Sequence, residues 1–256
     1  MKNVVWITGA GQGIGRAIAI EYAKRGWNVA ISARTIKDLE SVVQEARVKM
    51  CTGCVSSYVL DVTDAEMTKV VHAKIEEELG NIDHVILNAG IHVPSYVDSL
   101  FIDDFKQLMN VNYFGCLNGL LQLIPIFLSR GAGQIAVMAS VAGYTGLPNA
   151  SAYGATKAAL INLCESLRPQ LEAGGVFLSL INPGFVRTQA TAKNTFAMPF
   201  LMEPEVAAKA IYDGMEKKTF EIAFPWIFVR ILKFFRLVPY SFYFWAIKKF
   251  VIKEKV

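Results

Sequence analysis

The alternation of short β-branched runs with longer amphipathic stretches is the feature that most constrains the fold of this chain. Seven runs have the character of strands, at residues 4–8, 28–33, 55–61, 84–88, 134–140, 177–182 and 220–223. Helical stretches separate them, including residues 14–25, 64–79, 101–128 and 152–171. Several strands are apolar without alternation, which is typical of a sheet covered by helices on both faces. The pattern predicts an α/β fold with a doubly wound parallel sheet of about seven strands.

Only the C-terminal end departs from this alternation. The 256 residues suffice for one α/β domain, and we expect it to span 1–224, with a helical extension at 225–256. Residues 1–216 carry 17 Lys and Arg against 20 Asp and Glu, whereas 217–256 carry nine against two. This distribution argues against a general nucleic-acid binder and predicts a local cationic surface in the extension.

The N-terminus and the cysteines favour a cytoplasmic protein. The opening MKNVVW enters the first strand directly, so we expect no separate signal peptide. Four cysteines without a secretory signal favour a reducing compartment. Cys51 and Cys54 form a C-x-x-C, but no further ligands are evident near them, and they follow a helix and precede a strand. We therefore predict no metal site and no redox motif there.

A glycine-rich turn, T8-G-A-G-Q-G-I-G15, joins the first strand to the first helical stretch. Glycines there allow tight backbone curvature and let main-chain N–H groups approach a pyrophosphate, to which the helix N-terminus adds a favourable dipole. A turn without a ligand is the alternative. The position between strand and helix favours a phosphate cradle.

The turn and four later motifs together resemble the short-chain dehydrogenase/reductase family. The spacing G-x-x-x-G-x-G after Thr8 matches its opening. The later matches are N88-A-G90, Asn112 within N110-V-N-Y-F-G115, the set Ser140, Tyr153 and Lys157, and P183-G184. They follow the family's order over about residues 3–224. The resemblance implies a Rossmann-type domain and an NAD(P)-dependent oxidoreductase acting on carbonyl or alcohol groups.

The end of the second strand bears on the choice of cofactor. An acid there would bind the adenosine ribose hydroxyls and repel a 2′-phosphate. The chain has Ala33 and then Arg34, which can pair with a 2′-phosphate, so NADP(H) is favoured. A solvated surface cation is the alternative for Arg34. NAD(H) is still a possible cofactor, because Gln12 occupies the position at which many NADP-preferring relatives carry a second basic residue.

The resemblance also implies the residues that contact the cofactor. Asp61 would meet the adenine amino group and Thr188 the nicotinamide amide. The full expected set is Thr8, Gly9, Gln12, Gly13, Ile14, Gly15, Arg34, Asp61, Val62, Asn88, Ala89, Gly90, Tyr153, Lys157, Pro183, Gly184, Val186 and Thr188.

Tyr153 and Lys157 lie four residues apart on a predicted helix, so their side chains share one face. A nearby ammonium stabilises a phenolate and lowers its pKa, which suits Tyr153 as general acid or base. The resemblance gives Lys157 a hydrogen bond to the nicotinamide ribose, Ser140 the substrate oxygen and Asn112 a relay water. A catalytically silent nucleotide sensor or membrane-docked protein of this fold is the alternative, and the complete set of four residues argues against it.

Other features concern the pocket and the helix that carries Tyr153. The apolar residues 185–188 and 196–202 follow Pro183-Gly184, where relatives carry the substrate loop, and indicate a small lipophilic substrate; packing on the protein itself is the alternative. His92 is a candidate to edge the pocket, whereas His72 and His84 look incidental. We also expect Pro169 to kink or end its helix.

The extension itself combines aromatic and cationic side chains. Its longest charge-free stretch, 237–247, is shorter than the roughly 20 residues of a membrane span. On a helical wheel, Arg230, Lys233 and Arg236 lie opposite six apolar residues, and Pro239 then breaks the pattern. We expect residues 225–250 to contact the inner face of a membrane peripherally. The alternative is packing on the domain or on a second subunit of a homodimer or homotetramer.

Overall fold

The computed structural model describes residues 2–193 and 198–252, and its centre is a parallel sheet of seven strands. The strands are β1 (Val4–Thr8), β2 (Asn28–Ala33), β3 (Val55–Val59), β4 (Ile82–Leu87), β5 (Gln134–Met138), β6 (Phe177–Pro183) and β7 (Glu221–Phe224). They are ordered β3-β2-β1-β4-β5-β6-β7. The predicted fold class is confirmed, with β3 and β5 ending two residues before their predicted ends.

Helices cover both faces of this sheet. They are α1 (Gly13–Lys24), α2 (Ile36–Val48), α3 (Ala65–Leu79), α4 (Ile102–Leu108), α5 (Gly115–Arg130), α6 (Ser151–Ala173), α7 (Pro204–Glu216), α8 (Trp226–Leu237) and α9 (Tyr240–Phe250). Successive residues of β1 point to opposite faces, so Val5 and Ile7 pack with α1, α2 and α7, whereas Val4 and Trp6 pack with α3, α5 and α6. The core therefore has two halves divided by the sheet.

The predicted helix at 101–128 is a composite element. A π-helical segment, Met109–Phe114, lies between α4 and α5 and carries Asn112 in a buried position. Within the described residues, the run Ile102–Arg130 is the one helix long and apolar enough to cross a membrane. Leu108 and Leu120 of this run are buried in the domain, so we assign it to the core.

The sequence predicts that Pro169 kinks or ends its helix. Pro169 does not end the helix, because α6 continues to Ala173, and the kink stays a prediction. A proline so close to the C-terminus removes one intrahelical hydrogen bond from the last turns. Arg168 holds this end in place: it donates to the Leu178 carbonyl at 2.7 Å, pairs with Glu172, and lies 3.9 Å from the centre of the Phe177 ring.

The order in which strands are added to the sheet changes direction at β1, since β2 and β3 lie on one side of it and β4 to β7 on the other. In open α/β sheets the crevice beyond the strand ends at such a point binds ligands. The glycine turn after β1 and N88-A-G90 after β4 lie at this edge, with Ser140 just beyond β5 and Pro183-Gly184 at the end of β6. The topology thus brings the predicted motifs together.

Candidate active site

A cleft of about 1730 Å³ runs along the carboxyl edge of the sheet. It begins at the glycine turn, passes Ser140, Tyr153 and Lys157, and reaches side chains of α8 and α9. Of the predicted site residues, Thr8 and Asn112 do not line it; both are buried behind its wall. All the others are cleft residues.

The glycine turn has the geometry of a phosphate cradle. Gly9 and Gly13 have φ angles of 65° and 56°, which favour glycine. A methyl group on Gly15 would lie 2.5 Å from both the Asn88 Nδ2 and the Gly9 carbonyl oxygen, and one on Gly9 would lie 2.7 Å from the Ala89 Cα. Side chains at these positions would clash, so the backbone stays open at the N-terminus of α1, where a pyrophosphate is favoured. The residues present fit a dinucleotide.

Asn88 and Thr8 hold this cradle in shape. Asn88 Nδ2 donates to the carbonyl oxygens of Thr8 and Gly9 at 2.9 and 3.1 Å, and the Thr8 hydroxyl accepts from the backbone N–H groups of Asn88 and Ala89. Thr8 thus supports the cradle from a buried position at the end of β1, and its direct contact with a cofactor stays a prediction.

Charged residues surround the adenosine end of the cleft. Arg34 is exposed there, and no described carboxylate lies within 4 Å of its guanidinium. The Asp61 carboxylate accepts from the Thr63 backbone N–H at 3.0 Å, and this bond, with the Thr63 hydroxyl and the Arg34 charge, lowers its pKa. Sequence reasoning missed Asp38, which accepts from Gln12 Nε2 at 2.8 Å. This hydrogen bond joins α2 to the glycine turn. Its partners are 26 residues apart in the sequence, so no local pattern predicts the contact.

Ser140, Tyr153 and Lys157, the three candidate catalytic residues in the cleft, lie together near the C-terminal ends of β5 and β6. The Ser140 hydroxyl caps the short helix Val141–Gly143 by accepting from the Ala142 N–H at 3.2 Å. Lys157 is buried; its Nζ donates to the Met138 carbonyl at 2.7 Å and lies 5.5 Å from the centre of the Tyr153 ring. Spacing on α6 thus places Tyr153 and Lys157 on one face, as predicted.

Burial governs the protonation of this group. It raises the pKa of Tyr153 to about 12, against a lowering contribution from a hydrogen bond with Ser140, and it lowers the pKa of Lys157 to about 8. The sequence argument expected the ammonium to lower the tyrosine pKa. In the structure the pKa of Tyr153 is raised instead, because desolvation outweighs the hydrogen bond with Ser140, while Lys157 Nζ donates to the Met138 carbonyl. Tyr153 is a neutral phenol at neutral pH.

Asn112 acts as a backbone clamp. Its Oδ1 accepts from the Ile91 N–H at 2.7 Å, and its Nδ2 donates to the Ile91 carbonyl at 3.0 Å and to the Thr156 hydroxyl at 3.2 Å. The side chain therefore fixes the turn after N88-A-G90 against α6, one residue before Lys157. The predicted relay water stays a prediction.

The substrate end of the cleft is apolar and includes parts of the chain that the family motifs do not cover. His92 lies at its edge, with its ring edge-on to Tyr153 and the ring centres 4.8 Å apart. Burial lowers the pKa of His92, which favours the neutral imidazole. The apolar wall of this end includes Leu147, Phe185, Phe228, Phe235 and Ile247.

The predicted substrate loop is described in part. Val186 bridges to Met202, and the Thr188 methyl lies 3.2 Å from the point that a methyl on Gly13 would occupy. Thr188 and Val186 therefore lie close to the glycine turn. Residues 194–197, which include Phe196 of the predicted loop, lie outside the described residues.

The model for the short chain dehydrogenase family matches residues 3–198, most of the chain. The chain belongs to the short-chain dehydrogenase/reductase family. This membership makes it an oxidoreductase, as the motifs predict. An uncharacterized oxidoreductase of Myxococcus xanthus is 34% identical over 220 residues, which are 86% of each chain.

Solved structures of short-chain dehydrogenases show the same fold. One from Streptomyces avermitilis superposes with a TM-score of 0.82 at 25% identity and covers 97% of both chains. An alcohol dehydrogenase from Thermococcus sibiricus, complexed with 5-hydroxy-NADP, has a TM-score of 0.78 at 27% identity over 88% of this chain and 96% of its own.

Proposed function

We propose that the protein is an NADP(H)-preferring oxidoreductase that interconverts a carbonyl and an alcohol on a small lipophilic substrate. The observation that carries the proposal is the convergence of Ser140, Tyr153 and Lys157 in the cleft that also contains the glycine cradle. The nicotinamide cofactor, when bound, supplies or accepts the hydride. The protein supplies position and proton transfer.

The proton chemistry follows from the protonation of Tyr153. A buried phenol with a pKa of about 12 keeps its proton at neutral pH, so it can donate to a carbonyl oxygen in the reductive direction. The Ser140 hydroxyl holds the same oxygen by a hydrogen bond. Lys157 is cationic below about pH 8 and stabilises the phenolate that remains. In the oxidative direction the same residues carry the proton the other way.

The preference for NADP(H) is supported by Arg34, whose guanidinium is exposed at the adenosine end of the cleft. Asp38 lies nearby and would oppose a 2′-phosphate, but Gln12 donates a hydrogen bond to its carboxylate. The alcohol dehydrogenase from Thermococcus sibiricus holds an NADP derivative, which also supports NADP(H). The lipophilic substrate is supported by the apolar wall described above.

A Tyr153→Phe substitution tests the mechanism, because it removes the proton donor and keeps the ring. We expect kcat to fall by at least about 100-fold. The Kd of NADPH, measured by fluorescence titration, should stay unchanged. The substrate for these measurements would be found by screening aldehydes and ketones of increasing chain length with NADPH.

Tyr58→Phe is the matched control, since it removes a phenol hydroxyl that contacts Glu78 at the edge strand β3. Its kcat should equal that of the wild type. Full activity of Tyr153→Phe would overturn the mechanism. NADPH binding without turnover of any carbonyl by the wild type would instead favour the catalytically silent alternative.

We further propose a cytoplasmic homodimer or homotetramer. Phe114 lies at the end of the π-helical segment, and Leu121 and Leu128 follow it on α5 at intervals of seven residues; all three are exposed. Such a stripe suits packing against the same helix of a second copy. Sedimentation velocity of the purified chain tests this, and a monomer at all concentrations would contradict it.

A further inference from the structure

We propose that α8 and α9 dock the protein on an anionic membrane surface, and that the active-site cleft opens onto the same surface, so that substrate enters from the lipid. The second part rests on the proposed function, since it assumes a lipophilic substrate. The first part rests only on the surface of α8 and α9.

Each of the two helices has an inner face that is fixed to the domain. Val229 and Leu232 of α8 and Tyr243 and Ala246 of α9 are buried. The Tyr243 hydroxyl donates to the Gly146 carbonyl, and Lys233 pairs with Glu221. The predicted single apolar face of α8 is thus divided. Phe228, Leu232 and Phe235 line the cleft, and Ile227 and Phe234 are exposed. Ile231 lies between the two groups, since it lines the cleft and is also exposed.

The opposite side of both helices, here called the outer face, is also apolar. Trp226 is 63% exposed, Leu237 84% and Trp245 50%. The large exposed apolar side chains of this face are Trp226, Ile227, Phe234, Leu237, Tyr240, Phe242, Phe244 and Trp245. A contiguous patch of this kind marks an interaction site on a soluble domain.

Charge decides what covers this face. Residues 226–252 contain five cations and no carboxylate. Lys233 is paired with Glu221, whereas Arg230, Arg236, Lys248 and Lys249 have no described carboxylate within 4 Å. The Arg230 guanidinium lies 5.1 Å from the Trp226 ring centre, and Lys249 Nζ lies 5.1 Å from that of Trp245. Aromatic rings flanked by cations match the headgroup region of an anionic bilayer.

A second copy of the chain fits this face less well. A twofold contact through the outer face would bring the cations of both copies into one interface, where like charges repel and residues 226–252 supply no carboxylate. Neither helix can cross a bilayer, because α8 has 12 residues and α9 has 11, against about 20 for a span. Both helices are therefore suited to lie in the interface plane.

The active-site cleft reaches this surface at the end of α9. Phe244 and Phe250 line the cleft and are also 54% and 70% exposed. Tyr153 lines the same cleft, between the glycine turn and these two helices. A lipophilic molecule at the outer face therefore meets an apolar passage to the candidate catalytic residues.

Sedimentation with vesicles tests the docking without any substrate. We expect the wild type to bind vesicles of phosphatidylcholine with phosphatidylglycerol, and to bind pure phosphatidylcholine weakly. Tryptophan emission should shift to shorter wavelength on binding. Trp226 and Trp245 report this shift, since Trp6 and Trp27 are buried in the domain.

The decisive variant is Lys248→Gln/Lys249→Gln, which changes the outer face and no cleft residue. Its partition coefficient to the anionic vesicles should fall roughly 30-fold, since each basic residue near such a surface contributes a factor of about five. The matched control, Lys217→Gln/Lys218→Gln, removes two exposed cations just beyond α7 and should bind like the wild type.

Delivery from lipid is tested with two ketones and NADPH. We expect the lysine variant to reduce a long-chain ketone held in anionic vesicles more slowly than the wild type, and a short water-soluble ketone equally fast. Vesicle binding without turnover of either ketone would contradict the proposed function and leave docking intact. Absence of wild-type binding to anionic vesicles would overturn the docking proposal. So would a concentration-dependent dimer that Trp245→Ser abolishes, because a second copy would then cover the face.

Discussion

Arg34 is the single side chain on which the choice of cofactor depends most. We predict that Arg34→Ala raises the KM for NADPH by about 10-fold or more and leaves the KM for NADH nearly unchanged, because a charged hydrogen bond to a phosphate is lost. Steady-state kinetics with both cofactors measures this. Lys37→Ala, which removes a neighbouring exposed cation outside the cleft, is the control. An equal loss with both cofactors would contradict the assignment.

Individual site residues differ in how far the sequence predicts them. Tyr153 and Lys157 are predictable, because a spacing of four on a helix fixes their common face. Asp38 is not, since its contact with Gln12 depends on how α2 packs against the glycine turn. The raised pKa of Tyr153 is also a property of the folded site, in which burial outweighs the hydrogen bond with Ser140. Local spacing thus predicts the pairing of Tyr153 with Lys157, whereas tertiary packing determines the Asp38 contact and burial the protonation of Tyr153.

At the scale of elements, α8 is joined to the catalytic segment through Glu221 on β7. The Glu221 carboxylate accepts from the Tyr144 hydroxyl at 2.5 Å and from Asn182 Nδ2 at 3.1 Å, and it pairs with Lys233. Burial would raise the pKa of Glu221, but the hydrogen bonds from Lys233 and Tyr144 outweigh it and lower the pKa. Tyr144 lies four residues beyond Ser140, so this group connects the cleft wall to the active site.

We predict that Glu221→Gln raises the KM for a lipophilic ketone several-fold and leaves the KM for NADPH unchanged, because α8 is held less firmly against the cleft. A double-mutant cycle with Lys233→Gln should give a coupling energy of about 1 kcal/mol, as the pair is partly exposed. The exposed pair Lys209–Asp213 on α7 is the control and should show neither effect. If the KM for the ketone is unchanged in Glu221→Gln, the ion pair does not contribute to substrate binding and the prediction is wrong.

Some features of the helices cannot be predicted from sequence patterns. The run at 101–128 is uniformly apolar, so its periodicity does not reveal the π-helical segment that positions Asn112. For Pro169, the local rule is overridden by tertiary contacts of Arg168 with Leu178 and Phe177. In the C-terminal extension the wheel separates cations from apolar residues correctly. The wheel cannot show which apolar residues pack against the domain, because that depends on the position at which β7 ends and α8 begins.

For the molecule as a whole, the buried site has a cost in stability that depends on pH. Lys157 is 3% exposed, and burial lowers its pKa to about 8 from an unfolded value near 10.4. Between these values the unfolded chain binds more protons at this residue than the folded one, so its contribution to the free energy of unfolding rises with pH. The cost of the buried charge is fully present below about pH 8 and absent above about pH 10.5.

We therefore predict that the stability of Lys157→Met relative to the wild type declines as pH rises from 7 to 10, by up to about 3 kcal/mol. The variant loses the proton chemistry and leaves the Met138 carbonyl without its donor, but that loss is independent of pH and cancels in the comparison. Urea unfolding at several pH values measures the difference. Lys69→Met, at an exposed position on α3, should show no such trend, because its charge is solvated in both states. A difference that stays constant across this range for Lys157→Met would mean that the ammonium is stabilised inside the site, and the assignment of a depressed pKa would be wrong.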